Sequence, residues 1–229
     1  MMNVLDNIVW HTLCGPHARY AAGTDTARRY VAGFSPFIAF VDLLNPDFQA
    51  LAPYVESGEQ LYCDGWAGAA PAGWRIESEA ILVRMRWDAA MPVADEALHA
   101  ALEAIPLGPQ HAHAAVELAT LTRPGPFALR TVELGDYFGV FDGGRLVAMA
   151  GARTCAAGWR EISGVCTHPD YQGRGLARRL VLKLLRRQLR RKQSPFLRVM
   201  RDNGAVHRFY QGMGFRDVRE SVARVVSRD

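Results

Sequence analysis

The sequence predicts an α+β protein, and three observations carry that reading. Several short apolar segments have strand character, Trp159 to Thr167 and Phe196 to Met200 among them. The turn Asp142-Gly143-Gly144 joins two such segments and is a hairpin signal. From about Gly175 to Arg191, apolar residues recur at helical spacing, with Ala177, Leu180, Val181, Leu184 and Leu185 at i, i+3, i+4, i+7 and i+8.

Along the chain, Pro36 to Leu44 and Glu59 to Trp66 read as strands, with a short helix between them at Pro46 to Val55. Glycine and proline cluster from Gly65 to Gly73 and mark a turn before a strand at Ile76 to Trp87. Met91-Pro92 interrupts that pattern and a helix is expected from about Ala94, which places a domain boundary near residues 88–97. The expected organisation is therefore a smaller α/β region over 1–97 and a second domain over 98–229. In the second domain, Ile105 to Leu107 is a strand, His111 to Leu121 a helix, and Arg123-Pro124-Gly125-Pro126 a break. Asp136 to Phe141 and Arg145 to Gly151 form the hairpin. The strand at Trp159 to Thr167, the amphipathic helix, the strand at Phe196 to Met200 and a helix from Asn203 to Met213 closed by Gly214 complete the reading. No repeat is present, which excludes solenoids.

Composition narrows the class. The 229 residues are 49% hydrophobic and 22% charged, a globular balance that excludes disordered, collagen-like and coiled-coil chains. No run approaches the roughly 18 apolar residues of a membrane span, and the N-terminus has no positive, apolar leader. A cytoplasmic protein with no membrane partner is expected. Cys14, Cys63, Cys155 and Cys166 form no Cys-x-x-Cys pair, so neither a metal ribbon nor a disulfide framework is indicated and no metal is expected. Charge is uneven: residues 1–150 hold 9 Arg against 17 Asp/Glu, a net −8, and residues 151–229 hold 18 Lys/Arg against 6 Asp/Glu, a net +12. The basic third suits a polyanion and the acidic remainder a cation.

The chemistry concentrates at Val165-Cys166-Thr167-His168-Pro169-Asp170-Tyr171-Gln172-Gly173-Arg174-Gly175-Leu176-Ala177. A strand ends, two glycines allow close backbone approach, and a helix begins whose free N–H groups and dipole favour an anion. Arg174, Arg178 and Arg179 would oppose that dipole unless an anion sits beside them. A dinucleotide fingerprint needs glycine where Arg178 stands, and a P-loop needs Gly-Lys-Ser/Thr, so both are excluded.

At these residues the sequence resembles the GCN5-related N-acetyltransferases (GNAT), in particular their FR47-like branch. Gln172, Gly175 and Ala177 match the family's Gln/Arg-x-x-Gly-x-Gly/Ala signature, and Asn203, Tyr210 and Gly214-Phe215 fall in register with a second motif. The resemblance covers roughly 98–226 and leaves 1–97 unmatched. It implies the GNAT fold, a mixed, mostly antiparallel sheet with flanking helices, and acetyl-CoA as co-substrate. It further implies that the pyrophosphate lies on the amides of Gln172, Gly173, Arg174, Gly175, Leu176 and Ala177. Backbone groups of Val165, Cys166 and Thr167 would pair with the pantetheine arm as an added strand, and Asn203 would contact the same arm or cap the last helix.

An ammonium acceptor with a pKa near 10.4 must lose a proton before attack, and the departing thiolate must gain one. Glu161, at the position where the family's histone-acetylating members carry their glutamate, is the expected base, with pairing to an arginine as its structural alternative. Tyr210 occupies the family's acid position. Cys166 has no evident base and reads as a small apolar filler. His111 and His113, two apart, would point to different sides of a helix, so a metal pair is not expected, and His168 and His207 flank the site.

Three functions compete: an acyl-CoA-dependent N-acyltransferase acting by direct transfer in a ternary complex, an acyl-CoA sensor without turnover, and a nucleic-acid binder through the arginine-rich helix. The last lacks aromatic interleaving or a reader motif and is the weakest. The acceptor amine is not readable, and the sequence leaves the oligomeric state, a homodimer included, open.

Overall fold

Strands from both halves of the chain join one sheet in the computed structural model, which describes residues 4–90 and 103–229. The eleven strands are β1 (Ala21–Gly23), β2 (Ala27–Tyr30), β3 (Phe37–Phe40), β4 (Leu61–Asp64), β5 (Trp74–Trp87), β6 (Ala104–Leu107), β7 (Tyr137–Asp142), β8 (Arg145–Ala156), β9 (Trp159–Thr167), β10 (Ser194–Met200) and β11 (Phe215–Arg228). Their order is β1-β2-β3-β4-β11-β5-β10-β9-β8-β7-β6. Only the β3/β4 and β9/β10 pairs are parallel, so the sheet is mixed and mostly antiparallel, and the protein is α+β.

The hairpin forms where Asp-Gly predicts it. Gly143 and Gly144 both have positive φ, 54° and 84°, the requirement of a two-residue turn that follows the strand twist. The second strand of that hairpin continues beyond Gly151 to Ala156, buried along nearly its whole length. The helix α1 spans Ile8–Cys14, α2 Phe48–Leu51, α3 Ala112–Thr122, α4 Leu176–Arg190 and α5 Gly204–Met213. In α2, the Asp47 carboxylate accepts from the Ala50 amide at 2.9 Å and starts the helix.

On one face of the sheet, Leu180, Val181, Leu184 and Leu185 of α4 pack on Val83, Val147, Ile162 and Leu197. Each of the four is at most 1% exposed and contributes on the order of 1.5–3 kcal/mol of transfer free energy. α3 packs on Tyr137, Met149 and Cys166, and α1 on Tyr30, Phe37 and Phe196.

Four elements go beyond the sequence reading: α1, β1, β2 and the long β11. β11 shows no clean alternation because bulges shift its register at Asp217/Arg219 and Val225/Val226, and each slip moves the apolar positions to the other face. β5 lies between β10 and β11. The expected 97/98 boundary and the helix from Ala94 fall outside the described residues, but strands on both sides of that boundary share the sheet.

Candidate functional site

β9 and β10 run parallel and pair only through Ser194↔Trp159, Pro195↔Arg160 and Phe196↔Glu161. Beyond these residues the two strands diverge, although β10 continues its ladder with β5 as far as Met200. From Ile162 onward, the β10-facing edge of β9 therefore has no strand partner among the described residues. Gly164, at φ 62°, is the residue at which β9 slips against β8 between Met149/Cys166 and Gly151/Ser163, the positive-φ conformation of a glycine bulge. The resulting wedge can accept an extended chain by backbone pairing.

The wedge opens into a cavity of about 1030 Å³ whose lining includes Val165, Cys166 and Thr167 from β9. Gln172, Gly173, Gly175, Leu176 and Ala177 line the same cavity, as do Asn203 and Tyr210. Arg174 does not: its guanidinium donates to the Asp170 carbonyl at 3.0 Å and lies over the Tyr171 ring. Gly173 and Gly175 have φ of 75° and 73°, and a Cβ on either would meet nothing within 4 Å. The backbone thus stands open at the start of α4, whose N-terminus has no side-chain cap. Uncapped amides, an open approach and a positive dipole end suit a pyrophosphate.

Asn203 caps α5, its Oδ1 accepting from the Val206 amide at 3.2 Å, and it lines the cavity as well. Tyr210 is wedged between Phe209 and Phe215 at ring separations of 5.1 and 5.6 Å. Burial raises its pKa above the ordinary phenol value, which keeps the hydroxyl protonated and able to donate. Cys166 is buried and its thiol is pushed up to about 11 by burial, which suits a core filler and not a nucleophile.

Glu161 lines the cavity at the apex of the wedge and is 2% exposed. One carboxylate oxygen accepts from Arg198 Nε at 3.1 Å and Nη2 at 2.8 Å, and the other from the Thr154 amide at 3.2 Å and hydroxyl at 2.7 Å. Burial acts to raise its pKa, but the charges of Arg198 and Arg153 with the Thr154 bonds outweigh it and hold the carboxyl at about 2. A carboxylate held below its ordinary range is a poor acceptor for the proton of an ammonium whose pKa is near 10.4. As expected of its alternative reading, the residue is paired with arginines.

The cavity's other wall carries Phe37, Asp64, Arg153, Arg198 and Arg224. Sequence reasoning passed over all of these. The signal available was a charged residue inside an otherwise apolar strand: Arg198 follows Phe196-Leu197, and Arg153 lies within the buried run of β8. His168 and His207 do not line the cavity. The ring of His168 is held by Arg145 and the Asp170 amide, and that of His207 by Asp217 at 2.8 Å. Among the described residues no group of His, Cys, Asp and Glu is arranged to hold a metal, and no helix is long and apolar enough to cross a membrane.

Residues 106–215 match the profile of the acetyltransferase (GNAT) family. The chain is also similar to a protein of known structure from Novosphingobium aromaticivorans DSM 12444, assigned as an acetyltransferase of the GNAT family. The two are 32% identical over 100% of each chain, with a TM-score of 0.88. More distant structures share the fold. A GCN5-related N-acetyltransferase from Kribbella flavida is 17% identical over 100% of this chain and 96% of its own, TM-score 0.63. A GCN5-related N-acetyltransferase-like protein from Streptococcus suis 89/1591 is 16% identical over 97% and 92%, TM-score 0.62. No curated protein matches the chain.

Proposed function

We propose that this chain, which belongs to the GNAT family of acetyltransferases, transfers acetyl from acetyl-CoA to a primary amine by direct attack in a ternary complex. The observation that carries the proposal is the meeting, in one cavity, of the β9/β10 wedge, the open amides at the start of α4 and the Tyr210 ring. The amides of residues 172–177 hold the pyrophosphate. Val165, Cys166 and Thr167 present backbone groups to the pantetheine arm, with the Asn203 side-chain amide beside it. An amide near Cys166 stabilises the oxyanion as the amine attacks the thioester carbon.

Tyr210 then donates its proton to the thiolate. The thiolate, conjugate base of a thiol near pKa 8.5, is a weaker base than the phenolate, so this transfer is uphill on its own and is completed only as the nitrogen, on becoming an amide, returns a proton to Tyr210 through solvent. Glu161 acts as the fixed counter-ion that orients Arg198 and Arg153; a proton-accepting role is disfavoured by its pairing. Residues 1–97 form the acceptor side of the same catalytic unit, since Phe37, Tyr62, Asp64 and Ser78 line the cavity. Within this reading the protein is a cytoplasmic member of the FR47-like branch.

The test is acetyl-CoA titration calorimetry followed by thiol release against a panel of amines. Stoichiometric binding with amine-dependent release is expected. Binding without release for every acceptor would favour the sensor alternative, and absence of binding would remove the donor site.

A further inference from the structure

The acidic N-terminal half suggests a cationic acceptor, but the carboxylates that line the cavity, Asp64 from that half and Glu161 from the basic third, are already engaged. Asp64 Oδ2 accepts from Arg198 at 3.0 Å and Arg84 at 3.3 Å, and Oδ1 from the Ser221 hydroxyl at 2.6 Å. Glu161 accepts four hydrogen bonds from Arg198 and Thr154, the capacity of a carboxylate. Glu161 has no acceptor site left for a substrate ammonium, and Asp64 has one, on an oxygen already held by Ser221, with its charge paired to two arginines.

The cations are in surplus. Arg84 also lies 3.6 Å from Asp6, which pairs with Arg219 at 2.6 Å. Four arginines, at 84, 153, 198 and 219, therefore share three carboxylates, at 6, 64 and 161, the half-exposed Arg219 being the one whose charge solvent screens. Arg84 and Arg153 each leave a buried Nε without a partner, and of the two it is Arg153 that lines the cavity. Of its five N–H donors, one bonds the Pro126 carbonyl at 2.9 Å. Its approach to Glu161, 3.6 Å, is beyond hydrogen-bond length, and its buried Nε has no hydrogen-bond partner. The residue is 6% exposed and lines the cavity. The Phe37 ring lies under it at 4.5 Å and under Arg198 at 5.2 Å, an apolar floor that offers no competing acceptor.

We propose that the acceptor is a free α-amino acid whose carboxylate is taken by the Arg153 guanidinium. This rests on the transferase reading above and names its acceptor class. A planar, bidentate fork fits a carboxylate, and a nearly buried arginine is reached by a small molecule whose carboxylate sits two bonds from its amine. A peptide α-amine or a lysine side chain carries no carboxylate at that distance. With the guanidinium paired to the amino acid's carboxylate, the acceptor attacks as the free amine, its ammonium proton having passed to solvent.

The experiment measures thiol release from acetyl-CoA by the full chain with the twenty amino acids, their carboxamides and their decarboxylated amines. Acetyl-CoA affinity is measured separately by calorimetry. At least one amino acid is expected to exceed its carboxamide and amine in kcat/KM by a factor on the order of 10². Arg153→Gln should erase that ratio by raising the KM of the acid, with acetyl-CoA affinity unchanged. Arg153→Lys, which retains the charge and serves should Gln fail to fold, should restore part of it. Amines or carboxamides used as well as the acids overturn the proposal while leaving the transferase reading intact. So does a ratio that Arg153→Gln and Arg153→Lys leave unmoved, or a preference for succinyl-CoA with amines that lack a carboxylate, which would assign the guanidinium to the acyl group. Turnover with none of the amino acids overturns it as well; loss of acetyl-CoA binding by the wild type is the separate failure of the transferase reading.

Discussion

Tyr210→Phe keeps the ring between Phe209 and Phe215 and removes only the hydroxyl, which makes it the cleanest probe of the proton donor. Turnover is expected to fall by a factor on the order of 10²–10³ with acetyl-CoA affinity unchanged, measured by single-turnover thiol release. Wild-type turnover would move the proton to solvent. A second residue sets an acid limit on the fold. The His17 Nδ1 lies 2.8 Å from the Tyr30 hydroxyl, and burial, helped by the nearby charges of Arg160 and Arg19, pushes its pKa down to about 4. In the unfolded chain the imidazole takes a proton below about pH 6.5, whereas the folded one resists until about pH 4. Stability should therefore fall as pH drops through that window, by about 2 kcal/mol from this residue at pH 5. Urea melts at pH 7.5 and pH 5 check it: His17→Phe should narrow the difference between the two, and an equal difference in both proteins would exclude His17 as the cause.

At the scale of elements, the junction of loop and α4 carries the donor site, and Gly175→Val tests it. The position has positive φ, so a β-branched residue strains the loop, and its side chain would fill the open approach above the amides. Acetyl-CoA affinity is expected to fall at least 10²-fold with helical circular dichroism retained; unchanged affinity would place the pyrophosphate elsewhere. This junction was legible in the sequence because its determinants are consecutive: two glycines, a strand before them and an apolar stripe after. The acceptor wall was not, because Phe37, Asp64, Arg153, Arg198 and Arg224 come from five strands and meet only through the sheet order. Glu161 shows the limit from the other side. Its position was legible, but the arginines that depress its pKa lie on β8 and β10, and no local spacing reveals them. The short α1 carries too few turns to establish a period, and the bulged β11 slips out of its own.

For the molecule as a whole, the place of β5 decides whether the two halves are separable. It pairs with β10 over Leu82 to Arg86 and with β11 from Trp74 to Trp87. A fragment of residues 98–229 would lose that strand and expose two long facing edges, a template for aggregation. It is expected to be insoluble, or soluble without acceptor turnover, when expressed alone and assayed by size-exclusion chromatography and thiol release. A soluble fragment with the full chain's activity and acceptor preference would make residues 1–97 an independent module.

The same strand sets a timetable for synthesis. β4 and β5 reach their neighbour β11 only across roughly 140 residues of intervening chain, a separation that slows folding because loop closure must precede the contacts that reward it. At about 5–20 residues per second, the ribosome needs roughly 7–30 s to pass from one to the other. During that interval the apolar residues of β3 and β4 have α1 and α2 to cover them but no central strand to complete their sheet. The nascent first half is therefore the stretch of this protein's life in which a chaperone has most to protect.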